Sequence, residues 1–264
     1  MASVVIAAGY GGPEVLSVID EPTADPGPGQ VRIEVRAAGV NPIDYKLLER
    51  LTATSTYPFV VGIDFAGVIE HVPAGERELR PGDRVFGMAR THGAYAAYTA
   101  VAPGVQTEPL ARIPDGVTDQ QVAALPVAGI TALGALQLLG AAADQRLVIM
   151  GATGGVGGYA VQMAHARGAH VIATVRGDAD EARRLGAEEV YDAKAGEVID
   201  ALRASHPDGV DAILDLVNRT QSAVTPRFSN APAASSRRFM RRTKGGSPSA
   251  KSRRTTSRPA RILL

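Results

Sequence analysis

Residues 147–158 read Leu147-Val148-Ile149-Met150-Gly151-Ala152-Thr153-Gly154-Gly155-Val156-Gly157-Gly158. The four apolar residues predict a short buried strand, and a glycine-rich turn follows it directly. After the turn, apolar residues recur at helical spacing, at Val156, Ala160, Met163 and Ala164. Gly168 stands where the C-terminal cap of a helix is expected. The stretch therefore predicts a strand that turns sharply into a helix.

Such a turn suits the diphosphate of a dinucleotide. The first N–H groups of a helix have no partner within the helix, and the helix dipole favours an anion beside them. The spacing Ala152-x-x-Gly155-x-x-Gly158 is typical of dinucleotide-binding folds, in which missing Cβ atoms let the diphosphate approach the backbone. The alternative is a flexible glycine-rich loop, which the flanking strand and helix disfavour. The predicted binding residues are Ala152, Thr153, Gly154, Gly155, Val156 and Gly157.

The composition excludes several kinds of site. The 264 residues include no cysteine, so disulfides, zinc sites built on thiolates and a cysteine nucleophile are ruled out. The absence of cysteine is compatible with the cytoplasmic location that we expect. No basic region precedes the short apolar run at the N-terminus, so no signal peptide is predicted. No apolar stretch is long enough to span a bilayer, and no membrane partner is expected.

The charge is distributed unevenly along the chain. Of the 28 basic residues, 12 lie in residues 219–264, which contain no acid, so 16 remain in residues 1–218 against all 27 acids. Residues 219–264 are also poor in large apolar residues and lack periodicity, which predicts a disordered basic tail. A second interpretation is that the tail has a function, for which its basic composition favours the binding of nucleic acid. We favour a third interpretation, a shifted reading frame, because the change in composition is abrupt.

The rest of the chain divides into two domains. Residues 1–120 contain many short predicted strands, which favour a small β-barrel-like domain. Among them are a hairpin formed by residues 3–8 and 15–19 and an alternating strand at residues 31–37. In residues 121–218 strands and helices alternate, which predicts a parallel sheet covered by helices on both faces. Four strands are predicted there, whereas a complete dinucleotide-binding fold has six.

Several ordered motifs resemble one enzyme family. The first reads Gly39-Val40-Asn41-Pro42-Ile43-Asp44-Tyr45-Lys46, and the others occupy residues 58–70, 81–87, 93–98 and 124–132. Together with the glycine turn, they resemble the zinc-independent quinone oxidoreductases (zeta-crystallin-like) of the medium-chain dehydrogenase/reductase superfamily. The resemblance implies an α/β protein with an N-terminal GroES-like β-barrel domain and a Rossmann doubly wound parallel sheet, here incomplete.

The resemblance also implies the site. The nicotinamide is expected in a cleft between the domains, with Thr131 at its contact position and Asn41, Asp44 and Tyr45 on the substrate side. Metal-using relatives carry a ligand histidine where this chain has Ile63, and an apolar side chain cannot bind zinc, so no metal is expected.

The implied reaction is hydride transfer to a quinone or another α,β-unsaturated carbonyl compound. The oxygen of the acceptor then needs a proton, for which Tyr45, Tyr57 or a bound water is a reasonable donor. The alternative to a site role for Asn41 is a structural role in a turn, because Asn-Pro is also a turn signal.

The cofactor preference depends on the end of the second strand of the sheet. An acid there binds the 2′-hydroxyl of NAD, whereas a basic residue suits the 2′-phosphate of NADPH. Thr174 and Arg176 come first and Asp178 follows, which favours NADPH. A longer strand would put Asp178 in the position of the acid and reverse the preference.

A second hypothesis is a catalytically inactive fragment, or a binding protein whose basic tail contacts nucleic acid. The strands that are not predicted would supply part of the nicotinamide site and the family's dimer contacts. We therefore do not expect a homodimer of the family type, and the expected partner is the small-molecule quinone or enone.

Overall fold

The computed structural model divides the chain into two compact units, Met1–Ile130 and Thr131–Leu264. The residues that it describes are 1–22, 25–50, 57–89, 93–105, 108–194, 198–217 and 260–263. The boundary between the units falls within helix α3 (Pro126–Leu139), later than the predicted boundary at residue 120. The reason is that the preceding helix, α2 (Asp119–Ala123), packs its buried face against Ala66 and Ile113 of the first unit.

The first unit opens with the predicted hairpin. Strand β1 (Ala2–Ala7) pairs antiparallel with β2 (Leu16–Glu21), and a short 3-10 turn, Pro13–Val15, leads into the second strand. Strand β4 (Phe59–Val60) pairs with the other edge of β1 and completes a three-stranded sheet. The sequence prediction of a hairpin in this region is therefore confirmed.

A five-stranded antiparallel sheet forms the rest of the β structure described in this unit. Its strands are β3 (Val31–Gly39), β5 (Asp64–His71), β6 (Arg84–Met88), β7 (Tyr98–Val101) and β8 (Leu110–Arg112). Their order in the sheet is β7-β3-β5-β6-β8, and the core of the sheet contains the fully buried Ile33, Phe65 and Val85. Helix α1 (Pro42–Arg50) follows β3 directly, so the end of β3 positions the first turn of α1.

The second unit contains a parallel sheet whose central strand is β9 (Arg146–Met150). Leu147 and Ile149 pack with residues of helix α4 (Gly155–Ala166), while Val148 and Met150 pack with Leu202 in a separate cluster. The alternation along β9 therefore covers both faces of the sheet, as the sequence predicts. The remaining elements are β10 (His170–Val175), α5 (Ala179–Arg184), β11 (Glu189–Asp192), α6 (Val198–Ser205), β12 (Ala212–Asp215) and β13 (Ala260–Leu263).

The order of this sheet is β11-β10-β9-β12-β13, which corresponds to the first five positions of the 3-2-1-4-5-6 order of dinucleotide-binding folds. The fifth strand corrects the sequence analysis, which predicted four strands and no order after residue 218. Residues 260–263 pair in parallel with β12 because its outer edge offers unpaired backbone groups and the tail ends in an apolar run. The rest of the predicted basic tail, residues 219–259 and 264, lies outside the described residues.

No helix in the described part of the chain is both long enough and apolar enough to cross a membrane.

Candidate functional site

The turn between β9 and α4 is tight and is anchored to the neighbouring strand. Gly151 has a φ of +80°, a conformation that glycine adopts without strain. The amides of Gly151 and Ala152 both donate to the carbonyl oxygen of Thr174 on β10, at 3.1 and 3.0 Å. The amide of Gly154 then donates to the Gly151 carbonyl oxygen at 3.1 Å. The chain thus reverses within four residues and enters α4.

The N-terminus of α4 offers three free donors. Gly154 is the N-cap residue and supplies no side-chain cap, and the amide of Gly158 is the first to bond back, to the Gly154 carbonyl at 2.8 Å. For the amides of Gly155, Val156 and Gly157, the described residues provide no acceptor. Such groups at a helix N-terminus form a binding site for an anion, above all a phosphate.

The glycines of this turn have different roles. A Cβ atom on Gly157 would overlap the Gly151 carbonyl oxygen and would lie 2.9 Å from the Cα of Ala152, so only glycine allows α4 to pack on the turn. A Cβ atom on Gly155 would meet nothing within 4 Å, so this glycine keeps the space outside the helix open. The predicted spacing ended at Gly158, but a Cβ there would make only an ordinary contact, 3.5 Å from the Leu185 side chain.

The predicted side chains of the turn are placed as follows. Ala152 is fully buried, so it contributes through its backbone, and Val156 is partly buried against the core. Thr153 and the two glycines that follow it are exposed. Thr131 lies in α3, where it is partly buried. The structure therefore exposes residues 153–155 at the turn itself.

The end of β10 presents a basic residue. The strand ends at Val175, and the exposed Arg176 follows it. Asp178 is the N-cap residue of α5, where its carboxylate accepts from the amide of Glu181 at 3.4 Å. Thr174 is buried, and its hydroxyl oxygen lies 3.4 Å from the Gly151 nitrogen, on the side of the glycine turn.

In the first unit, two of the three predicted substrate-side residues meet in a buried polar cluster. Asn41 and Asp44 are each 8% exposed, and one carboxylate oxygen of Asp44, Oδ2, accepts a hydrogen bond from the backbone amide of Asn41 at 2.7 Å. The side-chain Nδ2 of Asn41 donates to Asp64 at 2.9 Å. Tyr45 is not part of these contacts, because its side chain is 45% exposed. Tyr57, the other tyrosine considered as a proton donor, is partly buried.

Two members of this cluster, Asp64 and Tyr95, were not predicted as site residues. The hydroxyl of Tyr95 donates to Asp44 at 2.8 Å, and both carboxylate oxygens of Asp64 lie near the amide of Val127 at the start of α3. Both residues stand in the motifs that carry the family resemblance. The available signal was Asp64 itself, a carboxylate that directly precedes the apolar residues Phe65–Ile69 of its strand.

Burial dominates the electrostatics of the cluster. It raises the pKa of Asp64 to about 6, although the hydrogen bonds from Asn41 and the Val127 amide oppose the shift. Burial also raises the pKa of Tyr95, and the hydrogen bond to Asp44 adds to this effect. Tyr95 therefore stays a neutral donor. The second carboxylate oxygen of Asp44, Oδ1, is buried without a hydrogen-bond partner in the described structure.

Among the described residues, no group of three or more histidine, aspartate or glutamate side chains could hold a metal ion. Ile63, at the position that a ligand histidine occupies in metal-using relatives, is 8% exposed.

The sequence matches two family models. Residues 27–115 match the alcohol dehydrogenase GroES-like domain, and residues 155–227 match the family described as zinc-binding dehydrogenase. The two matches fall in different units of the fold, one in the β-rich unit and one in the unit with the parallel sheet.

Individual proteins are similar over both units. The chain is 36% identical to the quinone oxidoreductase of Rattus norvegicus over 216 residues, which is 79% of this chain and 64% of that protein. It is also 36% identical over 220 residues to the trans-enoyl reductase tndF of Aspergillus flavipes, covering 76% of this chain and 62% of that protein. The chain thus spans a little over three fifths of these two relatives.

Solved structures show the same similarity. The quinone oxidoreductase from Coxiella burnetii superimposes with a TM-score of 0.72 and 30% identity, covering 82% of this chain and 69% of that one. The Escherichia coli quinone oxidoreductase, solved in complex with NADPH, gives a TM-score of 0.73 and 28% identity, with 82% and 67% coverage.

Proposed function

The chain belongs to the quinone oxidoreductase family of the medium-chain dehydrogenase/reductase superfamily, and we propose that it transfers a hydride from NADPH to a quinone or another α,β-unsaturated carbonyl compound. The observation that carries the proposal is the set of three amides at the start of α4 that have no acceptor in the described structure. The acceptor class is supported by the relatives, which include quinone oxidoreductases and a trans-enoyl reductase.

The second unit would hold the cofactor. The amides of Gly155, Val156 and Gly157 would donate to the diphosphate, and the missing Cβ of Gly155 leaves room for it to approach. Arg176 favours NADPH over NAD, since it is the first residue after β10 while Asp178 is committed to capping α5. Bound NADPH supplies the hydride, and the protein has to orient the cofactor and exclude water.

The first unit would serve the acceptor. We propose that Asn41 and Asp44 line the acceptor side, and that the hydrogen bonds from Tyr95 and to Asp64 fix their side chains in place. Because the hydroxyl of Tyr95 is committed to Asp44, the exposed Tyr45 is the better candidate to donate a proton to the reduced oxygen.

The proposal also covers metal use and location. The apolar Ile63 and the absence of cysteine argue for chemistry without zinc. The absence of cysteine also agrees with a reducing compartment, for which we propose the cytoplasm.

The test combines binding with turnover. The purified chain is titrated with NADPH while the cofactor fluorescence is followed, and quinone-dependent NADPH oxidation is measured by absorbance. We expect saturable binding and turnover, with kcat about 100-fold lower in Tyr45→Phe and an unchanged NADPH affinity. Tyr10→Phe is the matched control, because Tyr10 is a 61% exposed tyrosine in the β1–β2 connection.

Each part of the proposal can fail separately. No saturable fluorescence change up to millimolar NADPH would rule out the cofactor site. Normal turnover of Tyr45→Phe would exclude that residue as the proton donor and leave Tyr57 or a bound water in this role.

A further inference from the structure

The carboxyl ends of β10 and β11 are tied together by three hydrogen bonds. The amide of Ala193 donates to the carbonyl of Val175 at 2.8 Å. One carboxylate oxygen of Asp192 accepts from the amides of Gly177 and Lys194, at 3.1 and 2.9 Å. The segments that follow the two strands are therefore held in a fixed relation to each other.

Within this arrangement the side chain of Lys194 lies across Gly177. A methyl group on Gly177 would lie 2.7 Å from the Nζ atom of Lys194 and 3.3 Å from its Cε. Because Gly177 has no side chain, the end of the lysine occupies this space, and the φ of +97° at Gly177 is a conformation that favours glycine. Lys194 and Arg176 are both exposed, and the ion pairs found among the described residues include neither of them. The ammonium group of Lys194 therefore lies beside Gly177, the residue that directly follows Arg176, and neither cation forms an ion pair within the described residues.

Arg176 and Lys194 lie at the same edge of the sheet as the glycine turn. Strands β9, β10 and β11 are parallel neighbours, so their carboxyl ends lie at one edge of the sheet. Neighbouring strands lie about 4.8 Å apart, which puts the end of β11 about 10 Å from the turn that follows β9. Arg176 stands between them at the end of β10.

We propose that Lys194 is a specificity-determining residue, whose ammonium group, carried over Gly177, forms with Arg176 a two-cation site for the phosphate on the adenosine ribose of NADPH. The inference rests on the proposed function, since it assumes that the dinucleotide lies on the glycine turn. A phosphate with two negative charges forms strong, charge-assisted hydrogen bonds with a planar guanidinium and with a compact ammonium group. The neutral ribose hydroxyl of NAD binds to either group much more weakly.

The nearby acids do not oppose this assignment. An acid that binds the ribose hydroxyls is the mark of NAD-binding folds. Here Asp192 uses its Oδ1 to hold the two segments together, and Asp178 caps α5. Both carboxylates therefore have a structural role at this edge of the sheet.

The test uses two fragments of the cofactor, 2′,5′-ADP, which carries the additional phosphate, and 5′-AMP, which lacks it. Their affinities for the full chain are measured by titration calorimetry. In Lys194→Gln we expect the affinity for 2′,5′-ADP to fall about tenfold while that for 5′-AMP stays the same, and Lys194→Arg should restore most of the loss. Arg167→Gln is the charge-matched control, because Arg167 is the C-cap residue at the opposite end of α4.

Three results would overturn the inference. If Lys194→Gln lowers the affinity for both fragments equally, the lysine only maintains the conformation of the turn after β11. If it lowers neither affinity, the lysine does not contact the phosphate. If the unsubstituted chain binds neither fragment, the proposed dinucleotide site itself is wrong, and the inference fails with it.

Discussion

The packing of α4 on the glycine turn makes Gly157→Ala the most informative substitution in this chain. The added methyl group would overlap the carbonyl oxygen of Gly151 and lie 2.9 Å from the Cα of Ala152, whereas real Cβ contacts stay beyond 3.0 Å. Both obstacles are backbone atoms, so no side chain can rotate away. The helix and the turn would have to separate by on the order of 1 Å.

Two effects of opposite sign determine how much Gly157→Ala changes the free energy of unfolding. Alanine is favoured over glycine within a helix by about 1 kcal/mol. Overpacking usually costs about 1–3 kcal/mol, and we expect the upper end because the clash is with rigid backbone. The net loss in the free energy of unfolding should therefore be about 2 kcal/mol. The amides that are proposed to bind the diphosphate would also move, so NADPH affinity should fall as well.

Two alanine substitutions nearby serve as matched controls. Gly158→Ala should be neutral or slightly stabilising, because its Cβ would make only an ordinary contact at 3.5 Å. Gly155→Ala should leave stability unchanged and weaken NADPH binding, since its Cβ would enter the open space proposed for the diphosphate. The chain has no tryptophan, so urea unfolding is followed by circular dichroism. Equal stability of Gly157→Ala and Gly158→Ala would refute the packing argument.

Three further outcomes follow from the first unit. Because the folded chain binds the Asp64 proton more tightly than the unfolded chain, the free energy of unfolding should fall by up to about 3 kcal/mol as the pH rises from about 4 to 6. Urea unfolding of Asp64→Asn should lack this pH dependence. Tyr95→Phe removes a donor to the buried Asp44 and should cost about 2 kcal/mol in the same assay, and an unchanged midpoint would contradict the hydrogen bond. Thr118→Ala removes the capping box with Gln121 and should cost about 1 kcal/mol, and no loss would show that the cap does not contribute.

Local patterns were sufficient to predict most of the fold. The hairpin of β1 and β2 and the strand–turn–helix at residues 147–166 follow from periodicity and turn residues within a few positions. The first unit extends beyond residue 120 because α2 packs against Ala66, a contact between segments that are distant in the sequence. Strand β13 was missed for a similar reason, since its pairing with β12 spans a long stretch of chain.

The buried polar cluster also depends on contacts between distant segments, which local sequence patterns do not predict. Asn41 and Asp44 were predicted through their motif, and both lie in the cluster. Tyr95 reaches Asp44 across 51 positions of sequence, and Asp64 lies 23 positions from Asn41, so no local pattern could join them. Tyr45 was grouped with Asn41 and Asp44 by its place in the motif, but the turn of the helix directs successive side chains to different sides.

The basis of cofactor preference illustrates what separates a motif from a site. In the sequence, Arg176 and Asp178 are two residues apart, and spacing alone cannot decide which of them faces the ribose. In the structure the carboxylate of Asp178 accepts from the amide of Glu181 in the first turn of α5, which supports our proposal that Arg176 faces the ribose. The second cation of our proposal, Lys194, lies in the turn after β11, and the pairing of β10 with β11 brings this turn close to Gly177. In this proposal the preference for NADPH depends as much on the contacts that hold Asp178 and Lys194 as on Arg176 itself.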